Sequence, residues 1–232
     1  MDAERYARQT MLPQIGAEGQ RRLLDSSALV VGVGGLGSAA ALYLAGAGVG
    51  RIGLADPDTV SLSNLQRQVL YDERQIGVPK TEAARRKLAA FSSQVRFECH
   101  PEGITPQNAC PLFERYDLIV DCCDNFPTRY LIDDACAAAG RPWVHGAIGA
   151  FTGQVCLFNH LRKRRYADLY PDRESLCSRP RTTAGVLGTV PGVIGVLEAS
   201  EAIKLLAGFG ELLDGRLFTI HLLTMRSDIV EF

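Results

Sequence analysis

Residues Leu29 to Asp56 constrain the fold more than any other stretch of the chain. A short β-branched run (Leu29, Val30, Val31) enters a turn, Gly32-Val33-Gly34-Gly35-Leu36-Gly37, and continues as a helix of small residues. A second apolar strand, Ile52 to Ala55, then ends on Asp56. This is a strand–turn–helix–strand unit with G-x-G-x-x-G in the turn and an acid closing the second strand. Glycines let backbone approach a phosphate, and a helix N-terminus offers it free N–H groups. Gly32, Gly34, Gly35 and Gly37 are therefore the expected phosphate loop, and Asp56 the acceptor for a ribose hydroxyl.

The same stretch admits a blander reading. Ser26 to Gly50 carries no charge and is long enough to suggest a membrane span. Against this, six glycines lie between Gly32 and Gly48, and the apolar content is mostly alanine. The expectation is no membrane association. A net charge of −1 gives no sign of a nucleic-acid partner. The charged start, Met1 to Arg5, has no apolar run behind it, so secretion is not expected. Seven scattered cysteines with no C-x-x-C read as reduced thiols of a cytoplasmic protein.

Along the chain, two small helices are expected before Asp25. A polar segment, Asn64 to Gln68, follows the second strand, where open α/β sheets place ligand groups. A helix over Gly77–Phe91 starts near Lys80, with Ala83, Ala84, Leu88 and Phe91 as its apolar stripe. Strands are expected at Val95–Cys99, Asp117–Val120, Val144–His145, Gly153–Phe158, Leu217–Leu223 and Ile229–Phe232. Helices are expected at Asn108–Phe113, at Thr128–Ala139 with Gly140 as cap, and at Pro191–Ala207 with Val193, Val196, Leu197, Ile203 and Leu206 toward a core. Asn159 to Thr183 shows no periodicity and reads as an irregular, mobile loop. The fold class is α/β: a Rossmann-like, largely parallel sheet flanked by helices, with an added antiparallel C-terminal portion, in one domain.

The motifs then fall into an order. RYxRQ (Arg5 to Gln9), GxGGLG, LSNLQRQ (Leu62 to Gln68), GVPK (Gly77 to Lys80), DCxDN (Asp121 to Asn125), and GVLG with GVIG and EAIK (Gly185 to Lys204) succeed one another. In this the chain resembles the ThiF/MoeB/HesA family, relatives of ubiquitin-activating enzymes, over nearly its whole length. The resemblance implies adenylation: the C-terminal glycine carboxylate of a ThiS-like or MoaD-like ubiquitin-fold sulfur carrier attacks the α-phosphate of ATP and pyrophosphate leaves. A carboxylate needs no general base, so positioning and charge neutralisation carry the chemistry. By the same resemblance Arg67 and Lys80 face the triphosphate, Asp124 holds Mg2+ through a hard oxygen, and Asn64 and Gln68 orient phosphate or ribose. Arg8 is donated across the two-fold interface of a homodimer. Each assignment has a plainer counterpart. Arg67 and Lys80 would be surface charges, Asp124 a helix cap, Arg8 a solvated terminal residue, Asn64 and Gln68 loop hydrogen-bonders. Arg129 would pair locally, and His145 reads as a core histidine rather than a catalyst.

Two family features are missing. The zinc-binding C-x-x-C falls on Arg165-Tyr166-Ala167-Asp168, and the second such pair has no counterpart before Phe232, so zinc is not expected. The loop would then be more mobile unless Tyr166 and Tyr170 pack it down. The cysteine of sulfur-transferring members falls on Arg181. Cys177 is a candidate covalent thiol, its pKa lowered by Arg173, Arg179 and Arg181, but the spacing favours an ordinary loop thiol. Other readings stay open: a peptide or small-acid acceptor, a nicotinamide-dependent dehydrogenase, and a non-catalytic carrier-binding module. The Arg-Thr-Thr-Ala-Gly-Val stretch leans toward thiamine rather than molybdopterin supply.

Overall fold

In the computed structural model, which describes residues 4–180 and 185–232, strands alternate with helices as the glycine-turn unit requires. The strands are β1 (Ser27–Val31), β2 (Arg51–Ala55), β3 (Arg96–His100), β4 (Leu118–Asp121), β5 (Trp143–Ile148), β6 (Thr152–Phe158), β7 (Arg216–His221) and β8 (Arg226–Glu231). They form one sheet in the order β3-β2-β1-β4-β5-β6-β7-β8. Pairings from β3 through β5 are parallel, and those from β5 through β8 antiparallel. The parallel portion with an antiparallel C-terminal addition is as expected. Its consequence is geometric. The chain leaves β1 toward β2 and β3, then returns to β4 on the other side, so a crevice opens beyond the C-terminal ends of β1 and β4.

β1 is buried throughout, because layers cover both faces of the sheet. Helices α1 (Ala7–Thr10) and α2 (Gly16–Asp25) precede it, and α3 (Gly35–Ala47) follows the glycine turn. The uncharged stretch is thus β1, the turn and a 13-residue helix packed inside the protein. Among the described residues no helix is long and apolar enough to cross a membrane. α4 (Lys80–Phe91) begins at Lys80 as expected, but its apolar stripe is shorter. Ala83, Ala84 and Leu88 are fully buried, whereas Phe91 is 45% exposed, with the Arg5 guanidinium 5.3 Å from its ring centroid. α5 (Ala109–Phe113) and α6 (Phe126–Ala139) follow, α6 opening two residues early because Asn125 caps it.

Of the stretch Asn159–Thr183, residues 159–180 are more regular than the sequence suggests, and Arg181 to Thr183 lie outside the described residues. The stretch contains α7 (Tyr166–Leu169) and α8 (Arg173–Ser178). Tyr166 is fully buried, with ring centroids of Tyr130 and Tyr170 at 5.1 and 4.8 Å. Arg165 reaches Asp133 at 2.9 Å and Asp134 at 3.0 Å, and Arg173 reaches Asp134 at 2.7 Å. The packing by Tyr166 and Tyr170 that would substitute for a metal staple is present, reinforced by ion pairs to α6.

α9 (Thr189–Ala207) meets its expectation in part: Leu197, Ile203 and Leu206 pack against the core, but the most deeply buried face is made of other residues. Its buried face is Val190, Ile194, Gly195, Glu198, Ala199, Glu201 and Ala202, while Val193, Val196, Leu197, Ile203 and Leu206 are half-buried. Close approach decides the face. A Cβ on Gly195 would collide with the Leu36 carbonyl of α3, so the small residues meet α3 and the bulky ones flank the contact.

Candidate active site

C-terminal strand ends and the N-termini of α3, α4, α6 and α9 meet at the crevice. The glycines of the turn have different jobs. Gly32 has φ +87°, and a Cβ there would lie 2.7 Å from the Cys122 carbonyl oxygen, so only glycine fits between β1 and the loop after β4. Gly32, Gly34 and Gly35 line the crevice. Gly37 does not; a Cβ at this position would strike the Gly32 carbonyl oxygen, so Gly37 lets α3 sit against the turn. Asp56 accepts the Val33 N–H at 2.7 Å and the Asp58 N–H at 2.9 Å, holding the turn in shape. Burial raises the pKa of its carboxyl, and Lys80 opposes the shift.

The crevice encloses about 510 Å3. On its wall stand Asp56, Asp58, Arg67, Gln68, Lys80, Asp124 and Arg129. Lys80 is only 4% exposed and is no ordinary surface charge; its ammonium lies 2.9 Å from Asp58 and 3.9 Å from Asp56. Those two carboxylates are its ion-pair partners in the crevice wall. Arg67 is half-buried and donates to the Ser63 carbonyl at 3.1 Å. Gln68 is buried, and its Oε1 has no hydrogen-bond partner among the described residues. Gln68 is one of the crevice-lining residues, and an acceptor left without a partner at such a wall fits a ligand hydroxyl. Asp124 is exposed, and the cap reading fails for it: Asn125 takes the Thr128 N–H at 2.9 Å, while among the described residues Asp124 accepts only from the Asn125 amide at 3.3 Å.

Asn64, Gly37, Arg8 and Cys177 are not on this wall. Asn64 acts through its backbone, its carbonyl accepting the Arg67 and Gln68 N–H groups at 3.0 Å each. Arg8 is exposed on α1. Cys177 packs half-buried beside the core in α8, and Arg181, the other half of that argument, lies outside the described residues. Among the described residues no three His, Cys, Asp or Glu side chains cluster as a metal site. One exposed carboxylate beside phosphate-binding groups nonetheless fits the way Mg2+ is held, by one or two carboxylates, substrate phosphates and water.

A second cavity of about 720 Å3 adjoins the first, walled by Gln154, Tyr166, Tyr170, His221, Arg226 and Asp228 among others. Phe126, Arg129, Ile148 and Gly149 line both. Arg129 does pair locally, donating to the Cys123 carbonyl at 3.1 Å and lying 3.8 Å from Asp121, yet it is also the charged group at the junction.

Beneath the junction lies a buried polar layer of which the sequence names Asp121 and His145 but neither Gln154 nor Glu198. Asp121 bonds the Nδ1 of fully buried His145 at 2.8 Å. Burial holds the imidazole below its usual pKa. His145 is thus the core residue expected. Glu198 is also fully buried, with the Cys122 thiol 3.5 Å away, and burial pushes its carboxyl well above the ordinary 4.5. The folded state then keeps a proton that the unfolded chain releases near pH 4.5, so this residue lowers stability as pH rises. Glu198→Gln is expected to raise Tm by roughly a few degrees at pH 8 and hardly at all at pH 5. Thermal melts at both pH values check it; an equal or lower Tm at pH 8 would contradict the neutral assignment.

The parallel sheet, the glycine turn and the cation-lined crevice define an α/β protein built to hold a nucleotide by its phosphates. A family model described as the ThiF family matches residues 6–232, and the chain belongs to that family. It is 45% identical over 224 residues to the sulfur carrier protein adenylyltransferase of Thermus thermophilus, covering 93% of this chain and 82% of that protein. It is 42% identical over 228 residues to the adenylyltransferase and sulfurtransferase MOCS3-1 of Zea mays, matching 98% of this chain but 49% of that longer protein. Several curated relatives are of this longer kind, and the chain spans about half their length. Among solved structures, E. coli MccB with ATP superposes with a TM-score of 0.83 at 23% identity, over 98% of this chain and 70% of that one, a likeness of fold alone.

Proposed function

We propose that residues 1–232 form one adenylation domain that transfers the adenylyl group of ATP to the C-terminal glycine carboxylate of a ThiS-like or MoaD-like sulfur carrier. The observation that carries this reading is the meeting of two cavities at Arg129 and Gly149, one lined by phosphate-binding groups and the other free of Lys80, Arg67 and Asp124. ATP lies in the first, its ribose toward Asp56 and the orphaned Oε1 of Gln68, its phosphates toward the glycine turn, Arg67 and Lys80. The carrier's tail enters through the second. A carboxylate oxygen forms a bond to the α-phosphorus, the bond from that phosphorus to the bridging oxygen breaks, and the electron pair leaves with pyrophosphate. Lys80 and Arg67 hold the charge that builds on the leaving group. Mg2+, when bound at Asp124, supplies further neutralisation of that charge. Arg8, outside its own chain's crevice, supports a homodimer in which it serves the neighbouring site.

Cys177, away from both cavities, is assigned no covalent step. The experiment is ATP–pyrophosphate exchange with Mg2+ and a ThiS-like protein ending in Gly-Gly. Exchange that requires the carrier is expected; exchange with a peptide or small acid, and none with any Gly-Gly carrier, would overturn the acceptor.

A further inference from the structure

The reaction as written uses Arg67, Lys80 and Asp124, and gives no task to the polar side chains that run between the two cavities. They form an unbroken line. The backbone of Cys123, immediately before Asp124, is gripped on both sides: its N–H donates to Asp121 at 3.1 Å, and its carbonyl accepts from Arg129 at 3.1 Å. The other oxygen of Asp121 takes His145 Nδ1 at 2.8 Å. A neutral imidazole whose Nδ1 carries the proton leaves Nε2 as a bare acceptor. That acceptor lies 3.1 Å from the Gln154 amide nitrogen, which is also 2.7 Å from the Tyr170 hydroxyl. The two protons of one amide are thus divided between His145 and Tyr170. Gln154 and Tyr170 both stand on the wall of the second cavity, whereas Asp124 stands on the wall of the first.

Burial gives this line its stiffness. Asp121 and His145 are fully buried, so neither can exchange its partner for water, and a change at Gln154 is felt at Asp121. A chain lying in the second cavity restricts Gln154 and Tyr170. A shift of Gln154 then moves the imidazole it meets, and with it the carboxylate that holds residue 123. A ligand that favours one placement of this line favours it for the other ligand too, which makes their binding cooperative.

We propose that Gln154 and His145 are positioning residues that couple occupancy of the carrier-side cavity to the loop presenting Asp124, so that nucleotide and carrier tighten each other's binding. The inference rests on the functional reading above, because it takes the second cavity as the carrier's entrance. Neither residue touches the reacting atoms.

The test needs no turnover. The dissociation constant of a non-hydrolysable ATP analogue, at fixed Mg2+, is measured with and without a saturating ThiS-like carrier ending in Gly-Gly. In the wild-type chain the carrier tightens the analogue by about fivefold or more. In Gln154→Leu the analogue alone binds within about twofold of wild type and the carrier still saturates, but the tightening falls to about onefold. His145→Asn keeps a donor for Asp121 and loses the reach to Gln154; it gives the same pattern. A purely structural role would weaken the analogue alone and leave the ratio intact.

The proposal is overturned if wild type binds both ligands independently, if Gln154→Leu keeps the wild-type ratio, or if Gln154→Leu no longer binds carrier, which would make Gln154 a carrier contact. Should His145→Asn fail to fold, Gln154→Leu decides alone. A wild-type chain that binds no nucleotide, or no carrier, would instead refute the functional reading.

Discussion

Asp124→Ala is expected to reduce carrier-dependent pyrophosphate exchange about a thousandfold while leaving Tm nearly unchanged. The two halves of this result have separate causes. Asp124 is exposed and accepts one hydrogen bond, from the Asn125 side chain at 3.3 Å, and Asn125 rather than Asp124 caps α6. Removing an exposed carboxylate with so little to hold seldom shifts stability by more than about 0.5 kcal/mol. The rate effect comes from charge. Losing roughly 4 kcal/mol of stabilisation of the departing pyrophosphate corresponds to about a thousandfold. Exchange rates and melting curves on the same preparation check both halves. A variant with wild-type exchange would remove Asp124 from the site.

Gly37→Ala carries the second large effect, and here stability is the readout. An added methyl would overlap the Gly32 carbonyl oxygen, so α3 must move off the turn. Overpacking at backbone, which cannot rotate away, costs about 3 kcal/mol, or roughly 10 °C in a chain of this size. Nucleotide affinity should fall at least tenfold with it, because the helix N-terminus proposed to meet the phosphates moves with α3. Gly34→Ala is the informative contrast. Its methyl would meet only the Gln68 amide at 3.4 Å, an ordinary contact, so that variant should fold normally and lose nucleotide affinity alone. If Gly37→Ala melted like wild type, the close seat of α3 would be wrong.

Much of this site is legible in the sequence because its parts are local. A glycine turn between two apolar strands dictates where a helix starts, and Asp56 follows within the same unit. Arg67 and Lys80 follow β2 and Asp124 follows β4, a gathering that motif order anticipates and strand order explains. The buried layer was legible only in part: Asp121 stands in a motif and His145 reads as a core histidine, but their bonding to each other and to Gln154 does not show. Asp121, His145 and Gln154 come from β4, β5 and β6, and nothing in one strand's alternation says which polar residue will face a polar neighbour on the next. Glu198 escaped because large apolar residues mark a half-buried face of α9, while glycine and alanine take the tight contact with α3. The one available signal was a pair of acids, Glu198 and Glu201, amid the residues of that small-residue stripe. The short helices α7 and α8, four and six residues long, give too few turns for a period to emerge.

The central claim is that the adenylyl group passes to a carrier carboxylate, and the mass of the carrier tests it most directly. After incubation with this chain, ATP and Mg2+, a ThiS-like carrier ending in Gly-Gly should gain the mass of AMP less one water. Quenching in acid preserves the adduct for intact-mass analysis, and fragmentation should place it on the terminal glycine. A carrier that stays unmodified while ATP is turned over, or an adduct located away from that glycine, would contradict the account.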